Sequence, residues 1–116
     1  MEPTLKAIVE RIHSSSARSV VYVAGGGAQA LSWLACVPGA SGTLLDARVP
    51  YSRDAMIELL GKEPNKYVSE ECVRDLASAA YTRAVRMAPP GSPVVGVGCS
   101  SSLVTASPKK GVHECR

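Results

Sequence analysis

Two short stretches of small and hydroxylated residues each follow an apolar run, and their residue types suit the binding of an anion. A glycine loop lets phosphate approach backbone N–H groups, and serine hydroxyls can donate to phosphate or ribose oxygens. The first stretch follows residues 20–23 and the second follows residues 93–97. The candidate ligand-binding residues of these stretches are Gly25, Gly26, Gly27, Ser100, Ser101 and Ser102. If the two apolar runs are neighbouring parallel strands, both stretches face one crevice.

The glycine stretch allows two other interpretations. Gly25, Gly27 and Ala30 fit the relaxed Gly-x-Gly-x-x-Ala pattern of dinucleotide-binding sites, and Asp46 follows about 20 residues later. Such short patterns often arise by chance, so no cofactor is expected. A tight turn required for packing a helix on a sheet explains the same glycines.

No catalytic residue can be assigned from the residues alone. Cys99 could act as a thiolate beside a base, but the two histidines, His13 and His113, show no sign of proximity to it. No Ser, His and Asp pattern, paired carboxylates or Walker lysine is visible. The cysteines lack zinc-site spacing, so no metal is expected; they are Cys36, Cys72, Cys99 and Cys115.

Helical and strand patterns alternate along the chain, which is typical of a layered α/β fold. Ser52 and Ser69 are placed to cap helices, and Gly61 is placed to end the first of these. Helices are predicted at 5–12, 28–35, 53–60 and from 70 to before Pro89. Strands are predicted at 20–23, 43–49 and 93–97, with residues 98–102 as a loop and 111–115 able to begin a fourth strand.

Composition and charge narrow the class of protein. A length of 116 residues with 46% hydrophobic residues fits one globular domain over residues 1–116. The net charge of +3 is dispersed along the chain, which argues against a nucleic-acid partner. No apolar stretch approaches the roughly 18 residues of a membrane span, and Met1-Glu2-Pro3 does not begin a signal peptide. We therefore expect reduced thiols and an intracellular, cytoplasmic location without membrane contact.

Four motifs in order resemble the C-terminal domain family of the competence/damage-inducible protein CinA. They are Val37-Pro38-Gly39-Ala40-Ser41, Val49-Pro50-Tyr51-Ser52, Leu59-Leu60-Gly61 and Val68-Ser69-Glu70-Glu71, and the resemblance spans roughly residues 22–111. The family includes nicotinamide-nucleotide amidohydrolases, which convert nicotinamide mononucleotide to nicotinic acid mononucleotide and ammonia. The resemblance implies a three-layer α/β/α domain with a mixed or mostly parallel central sheet, commonly oligomeric, with Tyr51 and the glycine loop at the ligand.

The residues that carry catalysis in the family are replaced here. The family's serine, its nucleophile, falls at Ala24, or at Val23 if the paired glycines are aligned, and its lysine falls at Met56. None of these side chains can act as a nucleophile or take up a proton. The family domain is also longer than this chain, so the resemblance implies an incomplete domain, truncated at its C-terminus.

Three hypotheses follow. In the first, the chain is a catalytically degenerate member that binds a pyridine mononucleotide or a similar phosphorylated small molecule. In the second, it is an interaction or scaffold domain without a ligand. In the third, it hydrolyses nicotinamide mononucleotide with other groups, such as Cys99 or Ser100. The Gly-Gly-Gly-Ala-Gln-Ala-Leu stretch also resembles modules fused to a nucleotidylyltransferase-like domain, so the expected protein partner is another copy of the chain or such a domain.

Overall fold

The computed structural model of the chain describes residues 1–102 and 115–116. Within them, three strands form one parallel sheet in the order β2-β1-β3. The helices are α1 (Pro3–Ser14), α2 (Gln29–Cys36), α3 (Arg53–Leu60) and α4 (Glu70–Met87); the strands are β1 (Arg18–Gly25), β2 (Leu44–Arg48) and β3 (Val94–Ser101); and a short 3-10 turn occupies Ala40–Gly42. The predicted α/β class is confirmed.

The helix ends predicted at Ser52, Gly61 and Ser69 are confirmed, because side chains and one glycine set them, whereas α1 extends two residues beyond its predicted range at each end. The Ser52 hydroxyl accepts a hydrogen bond from the Ala55 N–H at 3.0 Å, and the Ser69 hydroxyl accepts one from the Cys72 N–H at 3.1 Å. Gly61 takes a left-handed φ of 77°, which ends α3. These caps pair backbone groups that the helix itself leaves unpaired.

Strand β1 is the centre of the fold and is buried on both faces. Its side chains alternate, so Val20, Tyr22 and Ala24 face α4, while Val21 and Val23 face α1 and α2. The core on the α4 side consists of Val20, Tyr22, Ala24, Met56, Cys72, Leu76, Ala80 and Ala84. Helices therefore cover both faces of the sheet, as the resemblance implied.

Strand β3 is longer than predicted. The expectation of a loop over residues 98–102 is wrong, because β3 pairs with β1 in register from Arg18 and Val94 to Gly25 and Ser101. Glycine and serine have weak strand propensity, but Gly96 and Gly98 allow α4 to lie directly on the strand. Packing by α4 therefore decides the conformation of this segment.

The fourth predicted strand, residues 111–115, lies outside the described residues except at its end. There, Cys115 forms an isolated antiparallel bridge with Ser101. The N–H of Arg116 donates to the Ser100 carbonyl at 2.6 Å, and the Ser100 N–H donates to the Arg116 carbonyl at 2.7 Å. Residues 115–116 thus pair with the carboxyl end of β3.

Histidine 13 joins α1 to the rest of the fold. Its Nε2 lies 2.8 Å from the Leu34 carbonyl oxygen and therefore donates to it, and its Nδ1 lies 2.6 Å from the Thr43 hydroxyl. In the neutral ring, Nδ1 accepts from that hydroxyl. His13 therefore has a structural role at the end of α1.

The contact between α4 and β3 gives a test of the fold. A Cβ at Gly98 would lie 2.6 Å from the Val73 carbonyl oxygen and 2.7 Å from the Ala77 nitrogen, both backbone atoms that cannot move independently of α4. We expect Gly98→Ala to lower the free energy of unfolding by about 1–3 kcal/mol, measured by urea denaturation.

Gly42→Ala is the matched control, because nothing lies within 4 Å of a Cβ placed there. Its effect should stay within about 0.5 kcal/mol. Equal stability of the two variants would contradict the close approach of α4 to β3.

Candidate functional site

A cleft of ≈ 280 Å³ opens at the carboxyl edge of the sheet, where β1 and β3 end. Its walls come from β1, β3, the start of α3 and the segment before α4. The lining residues are Ala24, Gly25, Tyr51, Arg53, Met56, Tyr67, Val68, Ser100 and Ser101. Residues far apart in the sequence therefore meet in one small space.

Topology explains why a cleft forms at this edge. The chain leaves β1 through α2 to reach β2 on one side, and it then returns through α3 and α4 to β3 on the other side of β1. The connection from β1 to β2 and the connection from β2 to β3 thus run in opposite directions along the sheet and lie on its opposite faces. Open α/β sheets usually bind ligands outside the carboxyl ends of the strands where this reversal occurs.

Ala24 and Met56, the two positions that the resemblance assigned to catalysis, both line this cleft. They are 32 residues apart in the sequence, and both are buried, with 7% and 1% of their surface exposed. Ala24 also pairs in register with Ser100 on β3. The cleft therefore carries a methyl group and a thioether at these positions.

Four of the predicted ligand-binding residues meet in the cleft. Gly25 and Ser101 end their paired strands, Ser100 lies beside Ala24, and Tyr51 stands two residues before α3. Gly25 has a φ of 78°, and a Cβ there would collide with the Ser101 carbonyl oxygen. Only glycine allows the two strand ends to approach in this way.

The other three predicted residues lie elsewhere. The Gly26 N–H donates to the Ser101 carbonyl at 3.3 Å, so this amide is engaged within the fold. Gly27 lines a groove on the opposite face of the sheet, where a Cβ would lie 3.4 Å from the Cys99 sulfur. Ser102 follows β3 and is not among the cleft-lining residues.

Ser100 is the buried hydroxyl of the cleft. Only 2% of its surface is exposed, and its Oγ donates to the Tyr67 carbonyl at 2.8 Å. This bond ties β3 to the segment that precedes α4. The described residues that line the cleft include no histidine, lysine or carboxylate that could take the Ser100 proton.

Sequence reasoning missed three residues of the cleft, namely Arg53, Tyr67 and Val68. Arg53 is the first residue of α3 and directly follows the Tyr51-Ser52 motif, which was the available signal. Val68 begins the Val68-Ser69-Glu70-Glu71 motif, which was the available signal, whereas nothing in the sequence marked Tyr67. The Tyr67 hydroxyl oxygen is buried and has no hydrogen-bond partner among the described residues.

Arg53 is held by an ion pair at the rim of the cleft. Its Nε and Nη2 lie 2.7 and 2.6 Å from one carboxylate oxygen of Glu63. This pairing raises the pKa of Arg53, with a smaller contribution from Tyr67, and lowers the pKa of Glu63. Because the Glu63 pKa is depressed on folding, the ion pair persists at neutral pH and is lost only as pH falls through that lowered value.

Asp46, the acidic residue of the dinucleotide-like pattern, is engaged elsewhere. It lies on β2, where its Oδ2 accepts from Nε of Arg83 on α4 and from Nε of Arg48 at 3.3 Å. The carboxylate therefore connects α4 to the edge of the sheet and is occupied by arginines. Arg48 also lies 5.9 Å from the centre of the Tyr22 ring.

Cys99 points away from the cleft. It belongs to an apolar groove of ≈ 350 Å³ on the opposite face of the sheet, between α1, α2 and β3. Burial is the main cause that raises the pKa of Cys99, and the neighbouring Cys115 thiol adds to it. A thiol with a raised pKa is poorly suited to be a nucleophile at neutral pH.

Within residues 1–102 and 115–116, no helix is long and apolar enough to cross a membrane. In the same part of the chain, no three His, Cys, Asp or Glu side chains are grouped to hold a metal ion. All four cysteines are free thiols.

Comparison with known proteins supports the fold. No protein-family model matches the chain, and no curated protein matches it. A solved structure of a competence-damaged protein (CinA) superfamily protein from Escherichia coli matches with a TM-score of 0.58 and 16% sequence identity. The match covers 88% of this chain and 59% of the Escherichia coli chain. This chain therefore has the fold of that CinA superfamily protein, and the resemblance is confirmed at the level of the fold.

Thiol reactivity tests the environment of Cys99. Cys36 is exposed, whereas burial raises the pKa of both Cys72 and Cys99. With iodoacetamide at pH 8, Cys36 should be alkylated at least about tenfold faster than Cys99, as followed by peptide mass spectrometry. The urea-unfolded chain is the control, because the two cysteines should be alkylated at similar rates there. Faster alkylation of Cys99 than of Cys36 in the folded chain would contradict the burial of Cys99.

Proposed function

We propose that this chain is a CinA-like ligand-binding domain that holds a pyridine mononucleotide, such as nicotinamide mononucleotide, or a similar phosphorylated molecule in the cleft without hydrolysing it. One observation carries the proposal. Ala24 and Met56, which stand where the resemblance places a nucleophile and a lysine, both line an open cleft. A cleft that could hold a ligand thus coincides with the two positions that lack catalytic side chains.

Loss of hydrolysis follows from the chemistry of the lining. An activated nucleophile works as a unit with its base, and removing one member removes most of the rate. The Ala24 methyl group cannot attack an amide carbon, and the Met56 thioether cannot accept a proton. Ser100 keeps a hydroxyl beside Ala24, but it donates to the Tyr67 carbonyl. We therefore expect the bound ligand to stay intact.

The composition of the cleft supports a small ligand that is partly planar and partly anionic. Tyr51 and Tyr67 offer rings, and Met56 offers a polarisable surface, all of which suit a heteroaromatic ring. Arg53 and the Ser101 hydroxyl offer donors to oxygen atoms. The volume of ≈ 280 Å³ lies just below the usual range for small-molecule sites, about 300–1,000 Å³, which favours a small ligand.

Isothermal titration with nicotinamide mononucleotide and nicotinic acid mononucleotide tests binding. We expect heat of binding with at least one of them, and Tyr51→Ala should weaken its affinity on the order of tenfold, because an exposed ring at the cleft is lost. Tyr81→Ala is the matched control, since Tyr81 is an exposed tyrosine on α4 that does not line the cleft. Absence of heat at millimolar ligand would overturn the proposal.

Ammonia release from nicotinamide mononucleotide separates binding from hydrolysis. We expect no ammonia above the buffer background, because none of the described residues that line the cleft is an activated nucleophile. If the wild-type chain releases ammonia and Ser100→Ala or Cys99→Ala abolishes this release, the result would instead support the hypothesis of an amidohydrolase with other catalytic groups.

A second candidate function is supported by the groove on the opposite face of the sheet. Val95 and Val97 of β3 are 44% and 39% exposed, although they line an apolar groove with Ile12, Ala30 and Leu34. Exposed apolar surface of this kind often marks a protein interface. In this candidate function the chain is an interaction domain that self-associates through the groove.

Light scattering coupled to size exclusion tests self-association. A dimer that becomes monomeric in Val97→Lys, but not in the control Val85→Lys on the exposed side of α4, would support the interaction domain. A monomer at high micromolar concentration would contradict it.

A further inference from the structure

The Tyr67 hydroxyl is the starting point, because it is a buried polar group without a partner among the described residues. Buried hydroxyls are nearly always hydrogen-bonded, so an exception calls for an explanation. The Tyr67 side chain lines the cleft, and its backbone carbonyl is fixed by the Ser100 hydroxyl at 2.8 Å. Tyr67 is therefore a cleft-lining residue with an anchored backbone, and its hydroxyl is buried without a hydrogen-bond partner among the described residues.

Arg53 supplies a second donor at the same wall. Glu63 engages Nε and Nη2 of its guanidinium, which leaves Nη1 outside the ion pair. Arg53 and Tyr67 both line the cleft, and Tyr67 contributes after Glu63 to raising the pKa of Arg53. The ion pair thus orients the guanidinium at the cleft that Tyr67 also lines, while one of its nitrogens stays outside the contact with Glu63.

We propose that Arg53 and Tyr67 form a subsite that binds an anionic oxygen of the ligand, with Arg53 Nη1 and the Tyr67 hydroxyl as donors. This inference rests on the proposed function of the cleft. The anionic oxygen belongs either to a phosphate or to a carboxylate on the aromatic ring. Both present oxygen acceptors to a planar guanidinium, which Glu63 orients before the ligand arrives.

Where the subsite holds the ring substituent, Arg53 also determines specificity between the acid and the amide. A guanidinium that Glu63 orients loses less side-chain freedom on binding than an unpaired one, and its charged N–H groups favour a charged acceptor over a neutral one. A carboxamide offers only a neutral carbonyl oxygen. If the subsite takes the ring substituent, the acid form of the ligand binds more tightly than the amide form.

Calorimetric titrations of the full chain test the subsite with three probes: nicotinic acid mononucleotide, nicotinamide mononucleotide and nicotinic acid riboside, which lacks the phosphate. We expect Arg53→Gln to weaken binding of nicotinic acid mononucleotide at least tenfold and Tyr67→Phe about three- to tenfold. Arg74→Gln and Tyr81→Phe are the controls and should stay within about twofold; Arg74 makes a comparable ion pair with Glu70 on α4, away from the cleft lining.

The probes distinguish the two sources of the oxygen. If the subsite holds the phosphate, Arg53→Gln weakens both mononucleotides equally and leaves the riboside unchanged. If it holds the ring carboxylate, the variant weakens the two acid compounds and leaves nicotinamide mononucleotide unchanged. Either pattern supports the subsite.

Thermal unfolding of Tyr67→Phe separates a ligand contact from a structural one. Because the hydroxyl is unpaired in the free protein, removing it should leave Tm unchanged or raise it, while ligand binding weakens. A lowered Tm with unchanged affinity would overturn the proposal. Wild-type binding that neither Arg53→Gln nor Tyr67→Phe alters would overturn the subsite alone, whereas failure of the wild-type chain to bind any probe would overturn the proposed function as well.

Discussion

The parallel pairing of β1 with β3 is the constraint on which the rest of the structure depends. It runs in register to Gly25 and Ser101, where the Gly26 N–H continues it by donating to the Ser101 carbonyl. A side chain at Gly25 would collide with that carbonyl. The two strand ends therefore meet at one edge of the sheet, and this meeting creates the cleft.

The same pairing separates two surfaces of different character. Because side chains alternate along β3, Ser100 faces the cleft and α4, whereas Val97 and Cys99 face the groove beside α1 and α2. The cleft is small and lined by rings, hydroxyls and a guanidinium, while the groove is apolar. The proposed ligand-binding function and the candidate interaction function thus involve different surfaces of one sheet and can be tested independently.

Local chemistry made much of the fold predictable from the sequence. The caps at Ser52 and Ser69 and the left-handed Gly61 mark helix ends by short-range hydrogen bonds, so their positions could be read directly. The end of β3 could not be predicted in this way, because α4 stabilises a glycine-rich strand through long-range packing. For the cleft, strand-end position predicted Gly25 and Ser101, but no local signal marked Tyr67, which reaches the cleft only through tertiary packing.

We propose that a phosphorylated ligand binds intact between the ends of β1 and β3. Backbone amide chemical shifts, recorded during titration with nicotinic acid mononucleotide, locate such a ligand on the protein. We expect the largest changes at Gly25, Tyr51 and Ser101, with little change at Val95 and Val97. Changes confined to those two valines, or no changes at millimolar ligand, would contradict it.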